Sequence, residues 1–346
     1  MLKTISVSNL GCFDDGPYTV DFSEETLLAG PNNSGKSMLL SALNLARLNL
    51  IQHGTQWDNE FFSLHDFEAA VNDHNLDKMI KVSFTLEENN KSYLFGFTCN
   101  KQGPRVSMFK NIIPAVEPEH ANLLKKIWCL RPNRSPVPYT AAVKHAEGPF
   151  QPLSPSGSNV INYLLERWTD RDKRWSLAEK WLSKIDPDMS ELKTPIRGSQ
   201  VSLETMFGEI DVNVSLQGSG FQSAAAIISA IVFSPKGSTL IIEEPEAFLH
   251  PQSQEIIVDM INDAVSNQGK QVIFSTHSFN ILSPFYNDCG RAPQRVRRGA
   301  EHIRADTTKF RIWTFEKTSG KIRIMPYPIQ EKTFQHFKED FKCVWG

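Results

Sequence analysis

Apolar and polar positions alternate over residues 2–7 and 18–22, and a short apolar run over 26–29 leads into Gly30. These patterns predict three strands. Residues 38–49 then carry apolar side chains at helical spacing, so the chain opens as strands, a loop and a helix. Two more strand-like runs, 81–86 and 93–99, are separated by the turn-forming pair Asn89-Asn90. Nine prolines between Pro104 and Pro155 exclude a long uninterrupted helix there. Residues 119–129 and 158–185 are predicted helical. Trp168, Trp175 and Trp181, set among alternating charges, read as packing anchors of a helical lobe rather than a platform for stacking bases.

From residue 212 the pattern changes again. It predicts a strand at 212–216, a helix at 221–233, a strand at 239–242, a helix at 252–265 and a strand at 271–275. Strand–helix–strand alternation implies a parallel sheet covered by helices, hence an α/β fold. The expected organisation is one split sheet domain, 1–110 and 212–346, with a Pro-rich, mainly helical lobe inserted at 111–211. No heptad pattern persists and no internal repeat is visible, so long coiled-coil arms are not expected.

Composition narrows this picture in three places. The 346 residues carry 37 Lys and Arg against 39 Asp and Glu, a net charge of −2, which disfavours a broadly basic nucleic-acid binder. Cys12, Cys99, Cys129, Cys289 and Cys343 are scattered without a CxxC pair, so neither a zinc site nor a disulfide framework is expected, and a reducing cytoplasm is the natural compartment. The first residues lack the apolar core of a signal peptide, and the most apolar run, 224–233, is far shorter than the roughly 20 residues of a membrane span. A soluble cytoplasmic protein with no membrane contact is expected.

Candidate chemistry begins with Gly30, Pro31, Asn32, Asn33, Ser34, Gly35, Lys36 and Ser37, which fit G-x-x-x-x-G-K-[ST] between an apolar strand and an apolar-periodic helix. In that context the glycines let backbone N–H groups face phosphate oxygens, and the helix N-terminus adds its positive end. Lys36 would reach the β- and γ-phosphates of ATP, and Ser37 would ligate Mg²⁺. The strand 239–242 ends in Glu243 and Glu244, and alternation sends the two acids to opposite faces, one toward a metal shell and one toward an attacking water. His277 stands at the end of another apolar strand, 33 residues after Glu244, where it could sense a γ-phosphate. Gln217, Gly218, Ser219 and Gly220 form a polar loop at a helix start, a second potential anion site.

Taken in this order, the four motifs resemble the ABC-type ATPase head, in particular the branch that includes RecF, SMC-like and OLD-like ATPases. The likeness covers residues 1–50 and 212–283. It implies a P-loop NTPase fold in which Lys36 and Ser37 are the Walker A pair and Glu243 is the Walker B acid on the metal. It also implies that Glu244 is the general base, 216–220 the signature loop and His277 the switch histidine. Ala247, Phe248, Leu249, His250 and Pro251 resemble the D-loop, and the phrase EEPEAFLHP resembles the OLD-like branch. Leu130, Arg131, Pro132, Asn133 and Arg134 resemble that branch's arginine-containing segment. Two departures stand out: Glu243 replaces the more common Asp, and the signature reads LQGSG instead of LSGGQ.

The resemblance implies slow ATP hydrolysis, pairing of heads into a homodimer or higher oligomer, and control of a nuclease or toxin effector in trans, in antiviral defence. A RecF/SMC-like DNA-repair ATPase and an ATP-holding scaffold with little turnover stay open as alternatives. Only 63 residues follow Ser283 and they hold no acidic DxD cluster, so no Toprim nuclease is expected within the chain. Arg291, Arg295, Arg297, Arg298 and Arg304, opposed only by Glu301, read either as a DNA or partner contact or as a solvated loop.

Overall fold

The computed structural model describes residues 1–52, 70–108, 111–112, 117–132, 134, 136–143, 153–169, 172–286, 310–318 and 321–327. By internal contacts the chain forms two compact units, Met1–Lys125 with Ile273–Gly346, and Lys126–Val272.

In the first unit the alternating segments make an antiparallel sheet. Its order is Tyr18–Asp21, Leu2–Ser8, Ile80–Glu88, Lys91–Asn100, Gly103–Met108 and Asn111–Ile112. Ile5 lies opposite both Val20 and Phe84, and Phe84 lies opposite Phe95 with the two rings stacked at 5.3 Å. Ile80, Val82, Phe84 and Leu86 are buried, as a period of two with one covered face requires. Asn89 and Asn90 both have positive φ, 51° and 61°. Such a two-residue turn matches strand twist, which is why Asn is favoured there. The helix Lys36–Gln52 packs on Leu2–Ser8, Ile80–Glu88 and Lys91–Asn100.

The strand Glu25–Ala29 is buried at every residue and runs parallel to Phe310–Thr318, with Leu27 opposite Ile312. Gln271–Thr276, through which the chain returns to this unit, neighbours Glu25–Ala29 in the sheet order. Continuous burial explains why 26–29 is an apolar run rather than an alternation.

In the second unit Ile127–Leu130 pairs in parallel with Thr239–Glu243, Leu130 opposite Ile242. The sequence pattern predicts a helix through 119–129, but the helix is Pro118–Lys125 and the apolar IWCL run is a buried strand. Two small three-stranded sheets follow: Met189–Lys193 with Glu204–Phe207 and Ile210–Asn213, and Ala141–Ala142 with Gln200–Val201 and Ile196–Arg197. The predicted lobe therefore holds helices, Val160–Thr169 and Trp175–Ile185, together with short antiparallel strands. The expected strand 212–216 is cut at Asn213, whose side chain accepts the Ser215 N–H at 2.9 Å and turns Val214–Leu216 into a 3-10 helix.

Ser219–Phe233 is buried at every residue from Ser223 to Phe233, the pattern of a central helix. Trp175 and Tyr163 set their rings 6.0 and 6.3 Å from that of Phe233. Trp175 and Trp181 are buried packing residues, whereas Trp168 is 42% exposed. Arg174 donates to the carbonyls of Val232, Phe233 and Ser234, and Lys270 to those of Ile231 and Val232, so two cations cap the helix C-terminus. Burial pulls the Lys270 ammonium down to about 7. Among the described residues no helix is long and apolar enough to cross a membrane.

Candidate active site

The phosphate-loop geometry follows from its glycines. Gly30 has φ +153°, and a Cβ there would collide with the Phe315 carbonyl oxygen; Gly35 has φ +100° and would set a Cβ 3.2 Å from Cys12 Sγ and the Phe13 ring. Asn33, between them, is also left-handed at φ 61°. The loop thus wraps back and delivers Lys36 to the first helical position. Lys36 is 5% exposed, and its Nζ donates to the carbonyls of Gly30 at 2.6 Å and Pro31 at 2.8 Å and to Ser34 Oγ at 3.4 Å. A buried cation inside a backbone cradle can exchange these carbonyl and hydroxyl oxygens for the charge-assisted bonds of a phosphate. The helix carries no acid in its first turn to neutralise its positive end, and Ser37 is exposed there. These features fit a nucleotide triphosphate.

His277 closes the strand Gln271–Thr276 in the same unit and is half-buried. The next residue, Ser278, accepts the Asn280 N–H at 3.2 Å and caps the helix Phe279–Tyr286, which fixes the histidine at a strand–helix corner. The arginine run Arg291, Arg295, Arg297, Arg298 and Arg304 lies outside the described residues.

In the second unit Glu243 ends its strand 4% exposed, and Glu244 leaves it half-buried with φ 44°. A left-handed backbone is rare for a residue with a side chain, and this one opens a chain of turns: Ala247 N–H donates to the Glu244 carbonyl and Leu249 N–H to that of Glu246. His250 then accepts the Gln252 N–H, and Pro251 starts the helix Pro251–Ser266. Among the described residues no three His, Cys, Asp or Glu cluster as a metal cage. The Glu243 carboxylate and the exposed Ser37 hydroxyl are each oxygen donors of the kind Mg²⁺ takes.

The loop 217–220 borders the same turn. Gly218 is the N-cap of Ser219–Phe233 and has no side chain to cap it, while Gly218 and Ser219 are exposed. The Gln217 amide donates to Thr205 Oγ1 and its backbone N–H to the Val214 carbonyl, so Gln217 holds the loop in shape and the open end of the helix is at Gly218 and Ser219. Gln222 ties the loop down by donating to the carbonyls of Ser215 and Gln217. At Gly220 a Cβ would lie 2.7 Å from the Phe248 carbonyl oxygen, so only glycine lets the loop and the 247–250 turn approach this closely. Leu216 and Phe248, at 71% and 59% exposure, present apolar side chains from these two loops.

One residue was placed by the sequence without a role. Arg134 is buried, and its guanidinium donates to Ser223 Oγ at 2.7 Å, to the Arg131 carbonyl at 2.7 Å, and to the carbonyls of Glu243 and Glu244 at 3.4 and 3.2 Å. Burial draws it down to about 10, against the pull of Glu246, Glu244 and Glu243. The only sequence signal was its place in the arginine-containing segment.

Comparison with known proteins matches two families of AAA domains. The family described as "AAA ATPase domain" matches residues 1–135, and that described as "AAA domain, putative AbiEii toxin, Type IV TA system" matches 153–283. The chain is 25% identical over 342 residues to the OLD nuclease of Thermus scotoductus, covering 84% of this chain and 60% of that protein. It is 41% identical over 59 residues to the endonuclease GajA of Bacillus cereus, covering 15% of this chain and 9% of GajA. The chain spans less than two thirds of the length of these relatives. A crystal structure of an Smc head bound to the C-terminal winged-helix domain of ScpA superposes with a TM-score of 0.64 at 11% identity, over 95% of this chain and 99% of that one.

Proposed function

We propose that the chain is an ABC-type ATPase head of the OLD-like family, with the fold of an Smc head, that hydrolyses ATP as a switch that pairs heads. The observation that carries this reading is the cradle of Gly30 and Gly35 around the buried Lys36 ammonium at an acid-free helix N-terminus. Lys36 neutralises the β- and γ-phosphates, and the loop N–H groups hold their oxygens. Mg²⁺, when bound, spreads the charge of the phosphates, and Ser37 and Glu243 are the residues that would hold it. Glu244 accepts the proton of the attacking water as general base, and His277 contacts the γ-phosphate. Residues 217–220 face the nucleotide of a second head, an arrangement supported by the exposed Leu216 and Phe248 beside them. In this reading 1–110 and 212–346 work as the ATPase core.

The heads, a homodimer or higher oligomer in the cytoplasm, control a nuclease or toxin-type effector acting on nucleic acid, in antiviral defence. The support is in the relatives, two of which are named as nucleases, and in the toxin-system description matched by residues 153–283. The arginines at 291–304 are proposed as the DNA contact, tested by the salt dependence of DNA binding in an Arg295→Ala, Arg297→Ala, Arg298→Ala variant. The test of the ATPase itself is Lys36→Ala, which is expected to lose nucleotide binding and turnover. Unchanged affinity and rate in that variant would remove the assignment.

A further inference from the structure

In paired heads two neighbouring motifs of the second unit would serve different nucleotides. Glu244 serves the ATP of its own head, and residues 217–220 serve that of a partner head. A single buried guanidinium joins them. Arg134 Nε meets Ser223 Oγ at 2.7 Å, four residues into the helix that begins at Ser219, and Nη1 and Nη2 meet the carbonyls of Glu243 and Glu244. Ser223 Oγ passes the link on by donating to the Ala247 carbonyl at 3.3 Å, in the turn that Glu244 opens. Gln222, the residue before, holds the loop carbonyls of Ser215 and Gln217.

A planar fork serves a helix hydroxyl and three carbonyls at once from donors spread over three nitrogens, one acceptor more than the three donors of an ammonium can meet. The peptide it holds is that of Glu244, whose left-handed φ of 44° persists only if its surroundings impose it. Any displacement of the helix start therefore acts through Ser223 and Arg134 on the Glu244 backbone, and so on where its carboxylate points.

Resting on the ATPase reading, we propose that Arg134 is a positioning residue that couples the signature loop at one nucleotide to the general base at the other, making hydrolysis at paired sites cooperative. The experiment uses the full chain with Arg134→Lys, Ser223→Ala and Ser223→Thr, measuring affinity for a fluorescent ATP analogue, kcat and the Hill coefficient of turnover, all below the melting temperature. Wild type is expected to show a Hill coefficient above 1. Arg134→Lys and Ser223→Ala should bind the analogue as wild type does, lose about tenfold or more in kcat, and fall to a Hill coefficient of 1. Ser223→Thr, which keeps the hydroxyl, should restore both.

A wild-type Hill coefficient of 1, or wild-type kcat and cooperativity in Ser223→Ala, overturns the coupling while leaving the ATPase reading intact. Affinity falling in step with kcat reduces Arg134 to a structural role and also overturns it. If Arg134→Lys does not fold, the Ser223 pair decides. Absence of Mg²⁺-dependent turnover in wild type would instead sink the ATPase reading.

Discussion

Glu244 combines two demands that conflict at the level of one residue. As the proposed general base its carboxylate must face water, yet its backbone is left-handed, which costs a side-chain-bearing residue about 1–2 kcal/mol. The Arg134 and Ala247 hydrogen bonds to its carbonyl offset that cost. Glycine would relieve the strain and remove the proposed base. Glu244→Gly is therefore expected to melt no lower than Glu244→Gln, although glycine at an ordinary site costs roughly 0.5–1 kcal/mol. Thermal unfolding of the two variants checks this, and a clearly lower melting temperature for the glycine variant would mean the turn is not strained. The acid pair was legible in the sequence because an apolar run ended in two carboxylates. The left-handed turn was not, because no glycine or asparagine marks it.

At the level of elements, the helix Ser219–Phe233 is held at both ends by polar contacts that propensity does not reveal. At its start Gly220 admits the Phe248 carbonyl, so Gly220→Ala must push the two loops apart. It is expected to lower ATP turnover at least severalfold while leaving nucleotide affinity unchanged, since the cradle around Lys36 is in the other unit; steady-state kinetics with a binding titration measures both. At its end Arg174 serves three carbonyls, and Arg174→Leu is expected to cost about 1–3 kcal/mol in chemical denaturation by leaving buried acceptors unmet. The helix and the strands beside it were readable from periodicity. Two stretches near the predicted lobe were not. The run 127–130 gave no alternation because both faces are buried, and the strand 210–213 stops where the Asn213 side chain competes with the ladder.

For the whole molecule, nucleotide is proposed to make heads pair and hydrolysis to part them. Light scattering of Glu244→Gln should show a larger mass with ATP and Mg²⁺ than without, because phosphate contacts remain when the water is no longer activated. A constant monomer mass would count against pairing. Most direct for the central claim is ATP turnover of wild type and Glu244→Gln, measured beside their ATP affinities. Wild type is expected to hydrolyse ATP only with Mg²⁺, the variant to turn over about a hundredfold or more slower, and the two affinities to stay within a few-fold of one another. Equal turnover in the two proteins would contradict it.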